Sequence, residues 1–338
     1  MINDSILQKA VDLINVSNNC LLTTHTRPDG DACGCMAAMS DVLANLGKKC
    51  KALMLSTIPE WYEFLFPEKL AVLGEDIQLD QLTEGQFGEF DLIIIVDTNS
   101  VTQLDKFGQY LKQAYTPVLI IDHHATADGL GDVEMVNSEA AATALIVLDL
   151  FKFAGWKITE KIAEALFVAV ATDTGWFQFR NTDSRVYRTC AELIDAGVKP
   201  IEIHESLFQN FSPQRFKLMV AMLNTLQLHL DGRFATQHIL QKDFQQTGAS
   251  HKDTENLINE CQRINSVEAA ALFVELKDNR IRCSLRSTGA INVSQIAAKF
   301  GGGGHKMAAG TFLSGPLEKA KKIILAEMTE QFKTLNCE

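Results

Sequence analysis

DLIIIV at Asp91–Val96 and PVLII at Pro117–Ile121 are continuous apolar runs rich in β-branched residues, and each is followed at once by an aspartate, Asp97 and Asp122. Such runs suit strands covered on both faces, as in a parallel sheet, because a strand with one wet face would alternate. Working outward, CLLTTH at Cys20–His25 reads as a short buried strand and Lys51–Leu55 as another. Between them, Ala32–Leu46 has helical spacing and is closed by Gly47, a good helix stop. Ser138–Phe153 and Glu160–Ala171 also read as helices. The alternation predicts an α/β fold with a parallel sheet sandwiched by helices.

The rest of the chain changes character. Ser184–Ala196 and Pro200–Gln209 have helical patterns, and Ser212-Pro213 opens a longer helix to about Leu228. Arg233–Leu240 and Ala269–Leu276 read as strands, and Asp278-Asn279 turns the chain into Arg280–Arg286 as a hairpin. Asn292–Phe300 reads as a helix that runs into Gly301–Gly304, and Pro316–Leu335 as an amphipathic terminal helix. The expected plan is a parallel-sheet domain over 1–190, a helical linker over 191–228, and a smaller C-terminal α/β domain with a mixed sheet over 229–338.

The chain has 338 residues, with 31 Lys plus Arg against 42 Asp plus Glu, a formal net charge of −11. The length suits two domains that each bury a core. The acidic balance argues against duplex DNA as a partner, which needs a broadly basic surface. It leaves room for a compact nucleotide site. No apolar run approaches the roughly 18–20 residues of a membrane span, and the first helical pattern carries Asp4 and Asp12 with no basic leader before it. Eight cysteines are scattered without a Cys-x-x-Cys pair, which suits free thiols in a reducing compartment. A cytoplasmic location is the expectation.

Acids and histidines gather where apolar elements end. They are His25-Thr-Arg-Pro-Asp29-Gly-Asp31, Asp97, Asp122-His123-His124, and Asp173 after the Glu160–Ala171 helix. In open α/β sheets the ligand crevice lies at the carboxyl ends of the strands, so these sets should meet. Each residue by itself has an ordinary structural role: Asp29-Gly30 as a turn, Asp31 as the N-cap of the next helix, Asp97 and Asp173 as turn residues. Four element ends carrying ligand-type residues together point elsewhere. Five clustered carboxylates would repel one another and take up protons. Two divalent ions would nearly balance them, and the His and carboxylate donors suit Mn²⁺, Fe²⁺, Co²⁺ or Zn²⁺. A bridging carboxylate would hold such ions about 3.5–4 Å apart, the spacing of two-metal phosphoester hydrolysis.

The glycine run lacks the Lys-Ser ending of a Walker A loop, and its spacing is not Gly-x-Gly-x-x-Gly. It does permit backbone N–H groups to approach an anion closely. Around it, Arg263, Lys277, Arg280, Arg282, Arg286, Lys299 and Lys306 are opposed only by Glu268, Glu275 and Asp278. This is a basic island in an acidic protein.

The four N-terminal segments resemble the DHH phosphoesterase superfamily, and they occur in that superfamily's order. Ser284-Leu-Arg286-Ser287, Gly301–Gly304 with His305, and Ala308-Ala309-Gly310 look like the DHH-associated domain that usually follows. The size and two-domain plan look most like the branch of bifunctional oligoribonucleases and 3′-phosphoadenosine-5′-phosphate phosphatases. The resemblance implies a two-metal Mn²⁺ enzyme, with Co²⁺ or Mg²⁺ as substitutes. His25, Asp29 and Asp97 would hold one ion, and Asp31, Asp97, His123 and Asp173 the other. Asp122 would act from behind the ligands, and His124 would contact the scissile phosphate or assist the leaving group. Arg286, Ser287, Gly303, Gly304 and His305 would grip the nucleotide, with the reacting bond between the two domains. Short RNA oligonucleotides, linear dinucleotides such as pApA, and 3′-phosphoadenosine 5′-phosphate are the implied substrates, and a homodimer is compatible. Rivals are a cyclic-dinucleotide phosphodiesterase, a RecJ-like single-strand exonuclease, a family II pyrophosphatase, and a nucleotide-binding regulator without catalysis.

Overall fold

The computed structural model describes residues 2–209, 211–304 and 306–335; His305 and Cys337 lie outside the described residues. Six strands form the first sheet: β1 (Asn19–Thr23), β2 (Lys49–Met54), β3 (Ala71–Val72), β4 (Leu92–Val96), β5 (Val118–Asp122) and β6 (Val133–Val136). Their order is β3-β2-β1-β4-β5-β6, and every pairing is parallel. β4 and β5 are buried at every residue, as their unbroken apolar runs require. Leu92, Ile94 and Val96 join one core cluster, Ile93 and Ile95 the other. The first cluster takes in α1 (Asp4–Val16), α2 (Gly30–Asn45), α5 (Thr143–Phe153), α6 (Glu160–Asp173), α7 (Ser184–Asp195) and α8 (Pro200–Phe208), and the second takes in α3 (Leu79–Thr83) and α4 (Phe107–Leu111). The sheet is therefore helix-sandwiched. Its strand order reverses between β1 and β4, which opens a crevice at their carboxyl ends.

Two close contacts fix α2 against α6. A Cβ on Gly30 would lie 2.2 Å from Thr172 Oγ1, and one on Gly34 would lie 2.3 Å from the Ala165 carbonyl oxygen and 2.7 Å from Ala169 Cβ. Only glycine lets the two backbones approach this far. The start of α2 thereby meets the end of α6, and the acids at those two ends become neighbours.

The second sheet runs β11-β12-β10-β9-β8-β7. Its strands are β7 (Gln227–His229), β8 (Phe234–Ile239), β9 (Ala269–Glu275), β10 (Arg280–Ser287), β11 (Gly303–Gly304) and β12 (Ala308–Ser314). The β8–β9 pair is parallel and the others are antiparallel, so the sheet is mixed, as expected. Ala269, Ala271 and Phe273 pack with α11 (Val293–Ala298) and α12 (Leu317–Leu335), whereas Ala270, Leu272 and Val274 pack with α9 (Pro213–Leu223) and α10 (Gln241–Thr247). The chain divides into compact units of residues 1–209 and 210–338. The helices expected as a linker are shared out, α8 to the first unit and α9 to the second.

Several boundaries differ from the sequence expectation. The helix expected from Ser138 begins at Thr143, because the Asp31 carboxylate accepts from the N–H groups of Thr143 and Ala144 and starts it there. The helix expected to stop at Ala171 continues to Asp173. The helix expected to reach Leu228 stops at Leu223, and Leu228 joins β7. Asp29, not Asp31, is the N-cap of α2, accepting from the N–H groups of Asp31 and Ala32. Asp31 lies one residue inside the helix, where its carboxylate is free to point elsewhere.

Gly34→Ala is expected to lower the stability of the first unit by about 2 kcal/mol, the usual cost of overpacking a tight interface. Urea denaturation measures it, and an unchanged midpoint would contradict the close helix crossing.

Candidate functional site

β1, β4 and β5 are neighbours in the sheet, so their carboxyl ends deliver His25, Asp97 and Asp122-His123-His124 side by side. Asp97 stands at φ +62, a left-handed conformation that aspartate tolerates better than most residues at a cost of about 1 kcal/mol. The α2–α6 crossing adds Asp29, Asp31 and Asp173. Ligand-type atoms fall into three groups, each within 4.8 Å: His25, Asp29 and Asp97; Asp31, His123 and Asp173; Asp97, His123 and His124. Asp97 belongs to two of them. Its Oδ2 lies 3.4 Å from His25 Nε2 and its Oδ1 lies 3.7 Å from His123 Nε2.

The histidines are oriented from behind. His123 Nδ1 faces the Ala140 carbonyl oxygen at 3.0 Å, and His25 Nδ1 faces that of Thr26 at 2.9 Å. A carbonyl can only accept, so each ring holds a proton on Nδ1 and presents Nε2 to the acids. Burial keeps the His123 imidazole below its ordinary pKa, hence neutral. Its Nε2 lone pair therefore faces carboxylate oxygens of Asp173 at 3.5 Å and Asp31 at 3.9 Å. Lone pair against carboxylate repels unless a cation lies between, so this donor set fits a divalent metal. His124 behaves oppositely. Its Nδ1 sits 2.8 Å from Asp122 Oδ1, and this hydrogen bond raises its pKa. Asp122 is fully buried, and its second oxygen has no partner among the described residues.

Asp31 and Asp97 are each 1% exposed. Burial, then the neighbouring carboxylates, hold both well above the usual carboxylate range. Asp173 is pushed up to about 7 by burial and then by Asp29. Asp31 accepts from two backbone N–H groups, and Asp97 accepts from Thr143 Oγ1 at 2.8 Å. These bonds lower the pKa values but do not overcome burial and repulsion.

In the second unit, β10 carries Arg286 on one face. Alternation puts Ser287 on the other face, where it is buried and its Oγ accepts from Gly289 N at 3.0 Å. The structure thus does not bring Ser287 to the Arg286 face. Gly304 has φ +139, and a Cβ there would meet the Ala308 carbonyl oxygen at 2.4 Å, so the fold itself requires glycine. Gly303 is different: a Cβ there would meet nothing within 4 Å, and its φ is ordinary.

The comparisons with known proteins agree with this layout. Residues 19–170 match the DHH family N-terminal domain and residues 231–334 the DHHA1 domain. The chain is 30% identical over 311 residues to the bifunctional oligoribonuclease and PAP phosphatase NrnA of Thermus thermophilus, covering 92% of this chain and 89% of that one. The chain belongs to the DHH phosphoesterase family. The Bacillus subtilis protein of the same name is 27% identical over 304 residues, covering 88% and 90% of the two chains. The crystal structure of an exopolyphosphatase-related protein from Bacteroides fragilis superposes with a TM-score of 0.90 at 22% identity, covering 99% of each chain.

Within the DHH domain, sequence reasoning missed Thr143. Its N–H and hydroxyl bind Asp31 and Asp97 respectively, so it ties two of the acids together. The only signal was a single hydroxyl at the head of an apolar run. Ala140, whose carbonyl orients His123, carries no signal at all. The seven described cysteines are free, six of them buried. No helix among the described residues is long and apolar enough to cross a membrane.

The acid cluster sets a pH test. The folded pKa of Asp173, about 7, lies above its unfolded value. In metal-free protein its stabilising contribution is therefore complete at low pH and is lost as pH rises through about 7. A bound metal displaces those protons, so its stabilising effect should grow with pH. The rise in melting temperature on adding Mn²⁺ to chelator-treated protein should be larger at pH 8 than at pH 5.5. An equal rise at both would contradict metal binding to this cluster.

Proposed function

We propose that the chain is a two-metal hydrolase of short oligoribonucleotides, with linear dinucleotides such as pApA and 3′-phosphoadenosine 5′-phosphate as further substrates. The observation that carries this is the convergence of His25, Asp29, Asp31, Asp97, His123 and Asp173 around histidine nitrogens that already face the acids. The relatives' names, oligoribonuclease and PAP phosphatase, supply the substrate class. His25, Asp29 and Asp97 would hold one ion, and Asp31, Asp97, His123 and Asp173 the other. Mn²⁺ suits this mixture of nitrogen and carboxylate donors. When bound, the two ions polarise the phosphoryl oxygens and acidify a water molecule.

The chain's own residues do the rest. Asp97 bridges the two ligand sets. Thr143 fixes the angle of its carboxylate by occupying Oδ1. Asp122 holds the His124 ring with its proton in place, so His124 can donate to the departing oxygen as the P–O bond breaks. Water contributes its oxygen to phosphorus. The products are a 5′-nucleotide and a shortened chain, or AMP and phosphate from the bisphosphate. Arg286 offers a guanidinium fork to a phosphate, and Gly303 leaves space for close backbone approach.

An activity panel of pApA, a labelled five-nucleotide RNA, 3′-phosphoadenosine 5′-phosphate, cyclic di-AMP and pyrophosphate, with Mn²⁺, tests the reading. The first three should be cleaved with higher kcat/KM than the last two, and activity confined to pyrophosphate would overturn it. His124→Ala should lower kcat by about 10²–10⁴-fold, the range for a general acid. It should also flatten the alkaline limb of the pH–rate profile. A loss confined to KM would assign His124 to binding instead. Gly303→Ala should leave the melting temperature unchanged and raise KM several-fold. An unchanged KM would remove the glycine loop from the substrate site.

A further inference from the structure

Strand alternation places Arg282, Ser284 and Arg286 on one face of β10. With His251, Lys252 and Asn256 they line a cavity of about 480 Å³ in the second unit, a size that suits a small organic ligand more than a lone ion. β12 sets only Ala308 and Gly310 beside Arg286 and Ser284, while β9 sets Ala270 and Leu272 on their other side.

The two arginines, like Arg215, lack the carboxylate partner that the other three arginines of this unit have among the described residues. Arg233, Arg263 and Arg280 each pair with a carboxylate, Glu268, Glu260 and Asp278. Arg282 and Arg286 have no such ion pair among the described residues. Arg282 Nη2 donates to Thr254 Oγ1 at 2.5 Å, and its Nε is buried without a partner. Arg286 Nη1 donates to its neighbour's carbonyl, Leu285 O, at 3.1 Å. Glu255 is the one acid on the cavity wall; Arg282 and Arg215 both feel its charge, but neither forms an ion pair with it among the described residues. A half-buried guanidinium without a contacting carboxylate is costly, and an anion entering from solvent relieves that cost.

Four residues of strand separate Arg282 from Arg286, about 13 Å, which is room for two phosphates. We infer that this cavity holds a second phosphate-bearing nucleotide of the substrate chain beyond the one gripped by Arg286. Arg282 is then the residue that favours longer oligonucleotides over small ones. This rests on the oligoribonuclease reading, but binding tests it without turnover.

The test uses the full-length protein and two variants, Arg282→Gln and Arg282→Lys. With Mn²⁺, Arg282→Gln should raise KM for a five-nucleotide RNA about tenfold, the value of one charge-assisted hydrogen bond. KM for 3′-phosphoadenosine 5′-phosphate should rise far less. Arg282→Lys should recover most of the loss, because it keeps the charge. In chelator, binding of the same fluorescent RNA should weaken, and the slope of log K against log salt should become shallower by about 0.7 for Arg282→Gln. Equal effects on both substrates, or RNA binding and salt slope unchanged from wild type, would overturn the inference. If the wild-type protein cleaves neither substrate, the functional reading fails and the binding and salt-slope result decides this proposal separately.

Discussion

Buried negative charge is the constraint on which the first unit depends. Asp31, Asp97 and Asp122 are at most 1% exposed, and neighbouring carboxylates add to burial in raising the pKa values of Asp31 and Asp97. A fold assembled only for stability would avoid this, because desolvating one carboxylate costs several kcal/mol and a second nearby adds repulsion. The surrounding structure supplies partial compensation, in the N-terminus of α5 under Asp31 and the Thr143 hydroxyl on Asp97. That compensation is incomplete, and the deficit is what a pair of divalent cations would fill.

The same constraint explains the glycines of α2. Asp31 and Asp173 reach a common point only if the first turn of α2 and the last turn of α6 lie in backbone contact. Gly30 and Gly34 permit that approach, and no other residue would fit against Thr172 and Ala165. Helix packing and site chemistry are therefore one problem here. A methyl group added 2.3 Å from a carbonyl oxygen would move a ligand as well as strain an interface.

Much of this was legible in the sequence, for a physical reason. Parallel strands must be apolar throughout, so DLIIIV and PVLII declare themselves, and the acids and histidines at their ends stand out against that background. The acids and histidines at element ends were singled out from position alone, and the structure gathers His25, Asp29 and Asp97, then Asp31, His123 and Asp173, with Asp97 also beside His123 and His124. What was not legible depends on backbone carbonyls and on non-local capping. Ala140 orients His123 through its carbonyl oxygen, which any residue there could supply. The start of α5 is set by Asp31, more than a hundred residues earlier in the chain, so the lone hydroxyl of Thr143 could not by itself mark the helix start. The two-residue strands β3 and β11 are too short to show a pattern. Ser287, next to Arg286 in sequence, lies on the opposite face of its strand, buried with its Oγ accepting from Gly289 N.

The net charge of −11 takes on a different meaning once it is located. In the first unit the acids are clustered and buried, so with cations bound among them their formal charge would overstate the local field. In the second unit, three arginines pair with carboxylates, while Arg215, Arg282 and Arg286 make no such ion pair among the described residues, the last two beside Lys252. Two unpaired cations on one cavity wall would suit a short polyanion. Such an arrangement gives little attraction to a long duplex, whose binding depends on many phosphates at once. It favours ligands of few phosphates, each met by a specific group.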